Sequence, residues 1–490
     1  MKILEELQQR HQSHITRRHF LKDGTLGLGA IAFGGLLGCN AVAQDPVLEA
    51  AKTKLFNNSH FAPKAKRIIF LHMAGAPSQL ELFDYKPLLQ ELNGKPCPDS
   101  LLEGKRFAFI RGVPDMLGPQ FNFKQYGETR SWVSDLLPKF TEVVDDVAFL
   151  KAVHTDEFNH APAQLFMHTG SPRIGRPGMG SWITYGLGSE NKNLPGFVVL
   201  VSGQSIPSGG KSLWGSGFLP SEYQGVELRA KGDPILYVNN PDGVTRDIRK
   251  NAINTINKIN QQEYDEIGDP EILSRMAQYE LAFRMQMTVP EATDMKEEPD
   301  YIHEMYGTKP GEVSFANNCL LARRLAERDV RFIQLYHRGW DSHGSSQFEN
   351  LHGGFKERCN EIDQPMTALI KDLKQRGMLE DTLVVWGGEF GRTPMQENRQ
   401  GVTNRFKGRD HHSEAFTMWM TGGGIKTGIT YGETDEIGYA GIKDRVHIHD
   451  LQATILHQMG LNHEKLTYQF QGRNFRLTDV HGHVVKDILA

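Results

Sequence analysis

The 490-residue sequence has few cysteines and no excess of positive charge, and each absence argues against a class of protein. The four cysteines lie far apart with no Cys-x-x-Cys pair, so neither a zinc knuckle nor a disulfide-rich scaffold is expected. The net charge of −4 offers no basic surface, and we expect no nucleic-acid partner. Hydrophobic residues make up 39% of the chain and charged residues 23%, a composition that supports a sizeable globular core.

The first forty residues resemble an export signal. Residues 16–22, TRRHFLK, form a twin-arginine motif, and the weakly apolar run at residues 24–38 is too short to span a membrane. Two cleavage sites stay open. Residues 36–39, LLGC, resemble a lipoprotein processing box that would leave a lipidated Cys39, whereas residues 41–43, AVA, fit an ordinary signal peptidase.

The chain is expected to have three parts. We expect the export signal at residues 1–43, a linker at residues 44–64, and a single domain at residues 65–490 with an excursion at about residues 205–310. The excursion begins with a segment rich in glycine, proline, serine and aromatic residues, and long loops of this kind are often functional. The mature protein is expected in the periplasm or at the cell surface, and it would attach to the membrane only if cleavage leaves a lipidated Cys39.

Short apolar runs bounded by turn residues predict six buried strands. They are residues 67–73, 147–153, 195–201, 330–336, 382–386 and 415–420. Helices are predicted over residues 247–305, 351–373 and 449–459, and Pro365 is expected to kink the second of them before it stops near Gly377. Strands that alternate with helices predict an α/β fold with a mostly parallel central sheet flanked by helices.

Polar residues of the types that bind metals follow several of the predicted strands. The functional site of an open α/β sheet lies beyond the carboxyl ends of its strands, where such residues would meet. Imidazole and carboxylate ligands together suit zinc or manganese better than calcium. The predicted metal ligands are Asp341, His343, Glu389, His411 and His412. Taken singly, each also has a structural interpretation, as a capped turn, a helix cap, an ion pair with Arg392 or a plain loop histidine.

His160 stands where an attacking side chain is expected. Residues 158–170, FNHAPAQLFMHTG, have the frame of a helix start that bears a nucleophile, but no Ser, Thr or Cys occupies the attacking position. His160 would then act as a metal ligand, a general base or an unusual nucleophile. Alternatively, it is a helix-start histidine with Asn159 as the N-cap. We predict a catalytic set of His160, Asn159 and Arg392.

Several motifs together resemble one family of exported bacterial proteins. They are GAPSQLELFD at residues 75–84, GRPGMGSW at residues 175–182, WDSHG at residues 340–344, WGGEFGR at residues 386–392 and the tail at residues 447–487. With the His160 segment, they resemble a twin-arginine-exported family of unknown function, family 1501, itself similar to sulfatases within the alkaline phosphatase superfamily. The resemblance runs from about residue 65 to the C-terminus and implies one large α/β domain of the alkaline phosphatase and sulfatase type.

The resemblance also implies an incomplete set of catalytic residues. His160 lines up with the cysteine of the sulfatase frame Cys-x-Pro-x-Arg, and Gln164 replaces its arginine, which argues against ordinary sulfatase chemistry. Glu389 and Phe390 stand where relatives have a metal-binding Asp-His pair. The other matches to phosphatase ligands are Asp341, His343 and one of His411 and His412. The resemblance therefore implies one divalent metal ion rather than two.

Two functions follow as alternatives. The first is an exported metal-dependent hydrolase of a sulfate, phosphate or related ester, on a small molecule or a polysaccharide, in which a metal-bound water attacks. His160 would serve as base or substrate ligand, and Arg392 would neutralise the oxyanion. The second is a non-catalytic binding or assembly protein that retains the fold. The resemblance implies an exported protein with cytochrome-type domains as its partner.

Overall fold

The computed structural model describes residues 59–490 except 204, 230–233, 236–239, 242 and 400. The predicted export signal, Cys39 and most of the predicted linker lie outside the described residues. A nine-stranded sheet forms the centre of the described chain. Its strands, β1 to β9 in chain order, are Arg67–Ala74, Ala148–His154, Phe197–Ser202, Val226–Leu228, Phe332–Arg338, Thr382–Gly387, Phe416–Thr421, Ile429–Tyr431 and Val446–His447.

The strand order of the sheet is β8-β2-β7-β6-β1-β5-β3-β4, and β9 also pairs with β2. Strand β7 is antiparallel to both of its neighbours, whereas all other pairs are parallel. The prediction of a mostly parallel sheet is therefore confirmed. The central parallel strands β1, β3, β5 and β6 are buried on both faces, as packing between two helix layers requires.

Helices cover both faces of the sheet. The helices α1 to α10 are Gln79–Leu82, Pro87–Leu92, His160–Thr169, Met179–Leu187, Arg246–Ile267, Pro270–Thr293, Asp300–Tyr306, Phe315–Glu327, Lys356–Gln375 and Ile448–Gln458. Since successive strand residues point to opposite faces, Ile69 and Leu71 of β1 pack into a core with α8 and α9. Their neighbours Ile68 and Phe70 pack into a second core with α3, α4 and α10.

Several details differ from the sequence expectations. The short strands β8 and β9 were not predicted. Val226–Leu228 lies within the predicted excursion but joins the edge of the sheet as β4, because three residues are too few to show a strand pattern. The helix expected to kink at Pro365 instead runs unbroken from Lys356 to Gln375. Its irregular part is the preceding turn, where Gly353 has a non-helical backbone.

Five antiparallel two-stranded pairs lie outside the central sheet in the described chain. They are Phe123–Tyr126 with Ser131–Ser134, Gly391–Arg392 with His411–His412, Asn398–Arg399 with Val402–Thr403, Glu433–Thr434 with Gly441–Lys443, and Tyr468–Phe470 with Arg473–Phe475. The pair that joins Arg392 to His411 contributes two side chains to the site described below. Among the described residues, no helix has the length and apolarity to cross a membrane.

Candidate metal centre

Four side chains from distant parts of the chain meet beyond the carboxyl ends of the central strands. His160 is the first residue of α3, Asp341 and His343 follow β5, and His411 lies in a short strand after β6. Each offers one ligand atom, and these atoms lie within 4.8 Å of one another. Asp341 Oδ1 is 2.7 Å from His343 Nε2, 3.2 Å from His160 Nε2 and 3.4 Å from His411 Nε2.

Each of the three imidazoles is held through its other ring nitrogen. His160 Nδ1 donates to Glu389 Oε1 at 2.7 Å, His343 Nδ1 donates to Glu397, and His411 Nδ1 donates to the Phe158 carbonyl at 2.7 Å. Because these acceptors fix the proton on Nδ1, the three Nε2 atoms present lone pairs to a common point. Metal-binding histidines are usually oriented in this way.

His160 Nε2 provides a direct test of whether the four residues fit a cation. This atom is buried, and its 3.2 Å approach to Asp341 is not aligned as a hydrogen bond. A buried nitrogen without a partner is costly unless something accepts its lone pair. Three imidazole nitrogens and one carboxylate oxygen form a donor set that suits zinc or manganese, so the residues present fit a divalent cation.

Glu389, a predicted metal ligand, lies behind His160 rather than among the four ligands. Its carboxylate is fully buried, and Oε1 accepts from Gly75 N at 3.0 Å, Gln164 Nε2 at 2.8 Å and His160 Nδ1 at 2.7 Å. Its Oε2 faces His72 Nε2 at 3.3 Å. Glu389 therefore orients the imidazole of His160.

Arg392, predicted to neutralise an oxyanion, is buried and donates its hydrogen bonds to other groups of the protein. Its side chain is 1% exposed, and Nη2 donates to Asp341 Oδ1 at 2.6 Å and to the Gly75 carbonyl at 2.6 Å. Nε donates to the Ala76 carbonyl at 2.9 Å, and Nη1 donates to the Arg409 carbonyl at 3.1 Å. The guanidinium thus fixes Asp341.

His412 and Asn159 stand apart from the four ligands. Because neighbouring residues of a strand point to opposite sides, His412 faces away from His411, and its Nε2 donates to the Tyr439 carbonyl. The structure therefore does not bring His412 to the predicted metal site. Asn159 precedes α3 as predicted, but its side chain is exposed and makes no capping hydrogen bond.

Two carboxylates support the site without having been predicted for it. Glu397 is fully buried, holds His343 Nδ1 and accepts from Arg399 Nε at 2.6 Å. Asp410 accepts from three backbone N–H groups at 2.7 to 2.9 Å, one of them that of His411. Glu397 lies in irregular chain, where no periodicity marks it. Asp410 was visible only as the neighbour of His411.

Two glycines allow the site loops to approach each other. Gly75 has φ +111°, and a Cβ there would lie 2.8 Å from the backbone nitrogen of Asp341. A Cβ on Gly408 would lie 2.0 Å from the carbonyl carbon of His343. Any larger residue at either position would push these loops apart.

One side of the cluster opens into a cavity of about 390 Å³. His160 and Asp341 line this cavity, with side chains 17% and 37% exposed. His343 and His411 are only 4% and 3% exposed and lie on the inner side. A small molecule could therefore reach the cluster from the side of His160 and Asp341.

A sequence profile described as "Protein of unknown function (DUF1501)" matches residues 65–489. The chain belongs to this family. The resemblance to family 1501 over the chain from about residue 65 is thereby confirmed, whereas the match does not include the predicted export signal. No curated protein matches the chain.

Solved structures similar to this DUF1501 protein include a phosphatase, a synthase and a sulfatase, all of low sequence identity. An alkaline phosphatase from the Antarctic bacterium TAB5 is 12% identical, covering 82% of this chain and 99% of that chain, with a TM-score of 0.32. The lipoteichoic acid synthase LtaP from Listeria monocytogenes is 9% identical over 85% and 76%, with a TM-score of 0.38. A sulfatase from Pseudoalteromonas sp. is 10% identical over 85% and 70%, with a TM-score of 0.35.

The charges around the cluster of the DUF1501 protein leave a negative excess. Four carboxylates face two guanidinium groups, so two negative charges are uncompensated when the imidazoles are neutral. These groups are Asp341, Glu389, Glu397, Asp410, Arg392 and Arg399. One divalent cation would balance the excess.

The pKa values of the cluster show how its residues share protons without a cation. Burial lowers the pKa of His160, but the nearby carboxylates of Asp341 and Glu389 outweigh it and raise the value to about 9. Burial lowers the pKa of His411 to about 3, and the positive charge of Arg392 lowers it further. The hydrogen bond to Asp341 raises this pKa but does not outweigh them. Burial alone would raise the pKa of Asp341, but Arg392 and the imidazoles hold it far below its ordinary value.

Proposed function

We propose that this protein binds one divalent cation through His160, Asp341, His343 and His411 and hydrolyses a sulfate, phosphate or related ester. The observation that supports this proposal is the convergence of three Nε2 atoms on Asp341 Oδ1, with every Nδ1 engaged behind them. Hydrolysis adds one water across the ester bond and releases an alcohol and inorganic sulfate or phosphate.

The chain's own residues prepare this chemistry. A bound divalent cation supplies a Lewis acid and activates water near neutral pH, so no Ser, Thr or Cys nucleophile is required. Glu389 and Glu397 hold two imidazoles in place, and Arg392 holds Asp341. His160 and Asp341 border the cavity through which the ester would enter.

Metal analysis of the purified full chain tests the proposal. We expect about one equivalent of zinc or manganese in the wild type and its loss in His343→Ala and in the Asp341→Ala, His343→Ala double variant. His412→Gln is the matched control, because His412 lies beside His411 but points away, and it should retain the metal. Equal metal content in all four proteins would refute the proposed site. Turnover of sulfate and phosphate monoesters by the metal-containing protein then tests hydrolysis.

One feature of the site favours the alternative function, a non-catalytic binding or assembly protein. Four protein atoms already surround a single centre, as in structural zinc sites, whereas catalytic sites usually use three protein ligands. Bound metal without turnover of any sulfate or phosphate ester would favour this alternative. The exported cytochrome-domain partner belongs to it and stays a prediction.

Export by the twin-arginine route is part of the proposal and rests on residues 16–22. The expected result is that an Arg17→Lys, Arg18→Lys variant stays in the cytoplasm, while the wild type reaches the periplasm or cell surface. Cell fractionation distinguishes the two. Equal export of both proteins would contradict the proposed route.

A further inference from the structure

An arginine without a carboxylate partner lines the cavity of the candidate metal centre. Arg338, the last residue of β5, borders the cavity together with His160 and Asp341. Its Nη1 donates to Ser205 Oγ at 2.5 Å, and no carboxylate among the described residues forms an ion pair with it. Arg358 lines the same cavity but pairs with Glu361 at 2.9 Å. Arg338 therefore presents a guanidinium with no ion-pair partner in the described chain to the cavity, whose lining also includes Glu349 and Glu357.

The contact between Arg338 and Ser205 lies where two cavities adjoin. Ser205 also lines a second cavity of about 840 Å³. Its walls include the partly exposed aliphatic side chains Ile206 and Val313, which are 36% and 39% exposed. The Arg338 side chain therefore lies between the cluster and the wall of this second cavity.

The first cavity also has a large exposed aromatic ring. Phe348 lines it and is 69% exposed, so its ring is available to a bound molecule. An aromatic face suits a ring-shaped substrate group, whereas a bare inorganic anion would make no use of it. The cavity thus combines a metal cluster, an unpaired guanidinium and an apolar ring face.

We propose that Arg338 binds a second anionic group of the substrate. The substrate is then a ring-containing sulfate or phosphate ester that has at least one further acidic group and extends toward the second cavity. A guanidinium binds carboxylate, sulfate or phosphate through two parallel hydrogen bonds, and Ser205 holds it at the junction. This inference rests on the proposed function, since the cleaved ester must lie at the cluster.

Matched pairs of sugars test the second anionic contact on the full-length, metal-loaded protein. The sulfated pair is N-acetylgalactosamine 4-sulfate and the chondroitin 4-sulfate disaccharide, which adds a carboxylate. The phosphorylated pair is fructose 6-phosphate and fructose 1,6-bisphosphate. Calorimetry gives the Kd of each sugar for the wild type, Arg338→Met, Arg338→Lys and the control Arg275→Met. Arg275 is exposed on α6 and lines neither cavity.

The ratio of the two Kd values within a pair is the quantity to compare. We expect the wild type and Arg275→Met to bind the doubly acidic sugar about tenfold more tightly, which corresponds to about 1.4 kcal/mol. Arg338→Met should bring the ratio near one, and Arg338→Lys should restore part of it. The pair that shows the ratio identifies the ester as sulfate or phosphate.

Three results would overturn the inference. They are equal affinities of the wild type within both pairs, a ratio that survives in Arg338→Met, and the absence of measurable binding of either doubly acidic sugar. Metal content and turnover, measured on the same preparations, report separately on the proposed function. If the wild type binds metal and turns over a monoester but shows no difference in affinity within either pair, only the role of Arg338 is refuted.

Discussion

The carboxylate of Glu389 offers the sharpest test of the proposed metal centre. Glu389→Gln keeps the shape of the side chain and leaves an oxygen for Gly75 N, Gln164 Nε2 and His160 Nδ1. The new amide nitrogen would replace Oε2, which faces His72 Nε2 at 3.3 Å, and that imidazole can accept its hydrogen bond. The substitution thus removes one negative charge while the hydrogen bonds around it persist.

The expected effect is a loss of metal affinity with the fold retained. Removing the carboxylate partner of a metal-binding histidine typically weakens binding by about 10- to 100-fold. That range corresponds to about 1.4 to 2.7 kcal/mol. Affinity should fall because the negative charge of Glu389 makes His160 a stronger metal ligand. The same charge also offsets that of the cation in a buried site.

A competition titration with a chromophoric chelator would measure the zinc Kd of each protein. Glu361→Gln is the matched control, since it removes a carboxylate that accepts from His337 Nε2 at 2.8 Å, an imidazole outside the four-residue cluster. The control should bind zinc as the wild type does. The reasoning fails if Glu389→Gln retains wild-type affinity, or if Glu361→Gln weakens binding equally.

Three further predictions concern the support of the site and of the fold. Gly75→Ala should lower metal content and destabilise the protein by about 1 to 3 kcal/mol in urea unfolding, because of its positive φ and its close contact with Asp341; unchanged values would contradict this. Arg392→Lys keeps the positive charge but loses the branched guanidinium that bonds Asp341 and the carbonyls at once, so zinc affinity should fall about tenfold. An unchanged zinc affinity would count against the role assigned to Arg392. Burial alone would raise the pKa of Glu298, but hydrogen bonds to Arg323 and Arg324 lower it below its ordinary 4.5. The stabilisation from ionised Glu298 is therefore complete above pH 4.5 and lost as the pH falls through the pKa of the folded state. Glu298→Gln should lower the free energy of unfolding by about 2 kcal/mol at pH 7 and by progressively less in acid. A loss of stability independent of pH would refute the assignment.

Local patterns in the sequence were sufficient for most of the architecture. Six apolar runs predicted six strands of the sheet, because a parallel strand covered on both faces must be apolar throughout. The turn residues and strand ends also pointed to His160, Asp341, His343 and His411, which the structure brings together. Strands β4, β8 and β9 escaped prediction, since two or three residues are too few to show a period.

The roles of the site residues depended on contacts that no local pattern encodes. Side-chain alternation in a two-residue strand separates His411 from His412, and that strand exists only because it pairs with Arg392. Glu389 orients the imidazole of His160, 229 residues away along the chain. The guanidinium of Arg392 donates all its hydrogen bonds to Asp341 and three backbone carbonyls. The sequence by itself determined which residue types stand at the strand ends. Only the tertiary structure decided which atoms face one another, because those distances follow from how separate loops pack rather than from any period along the chain.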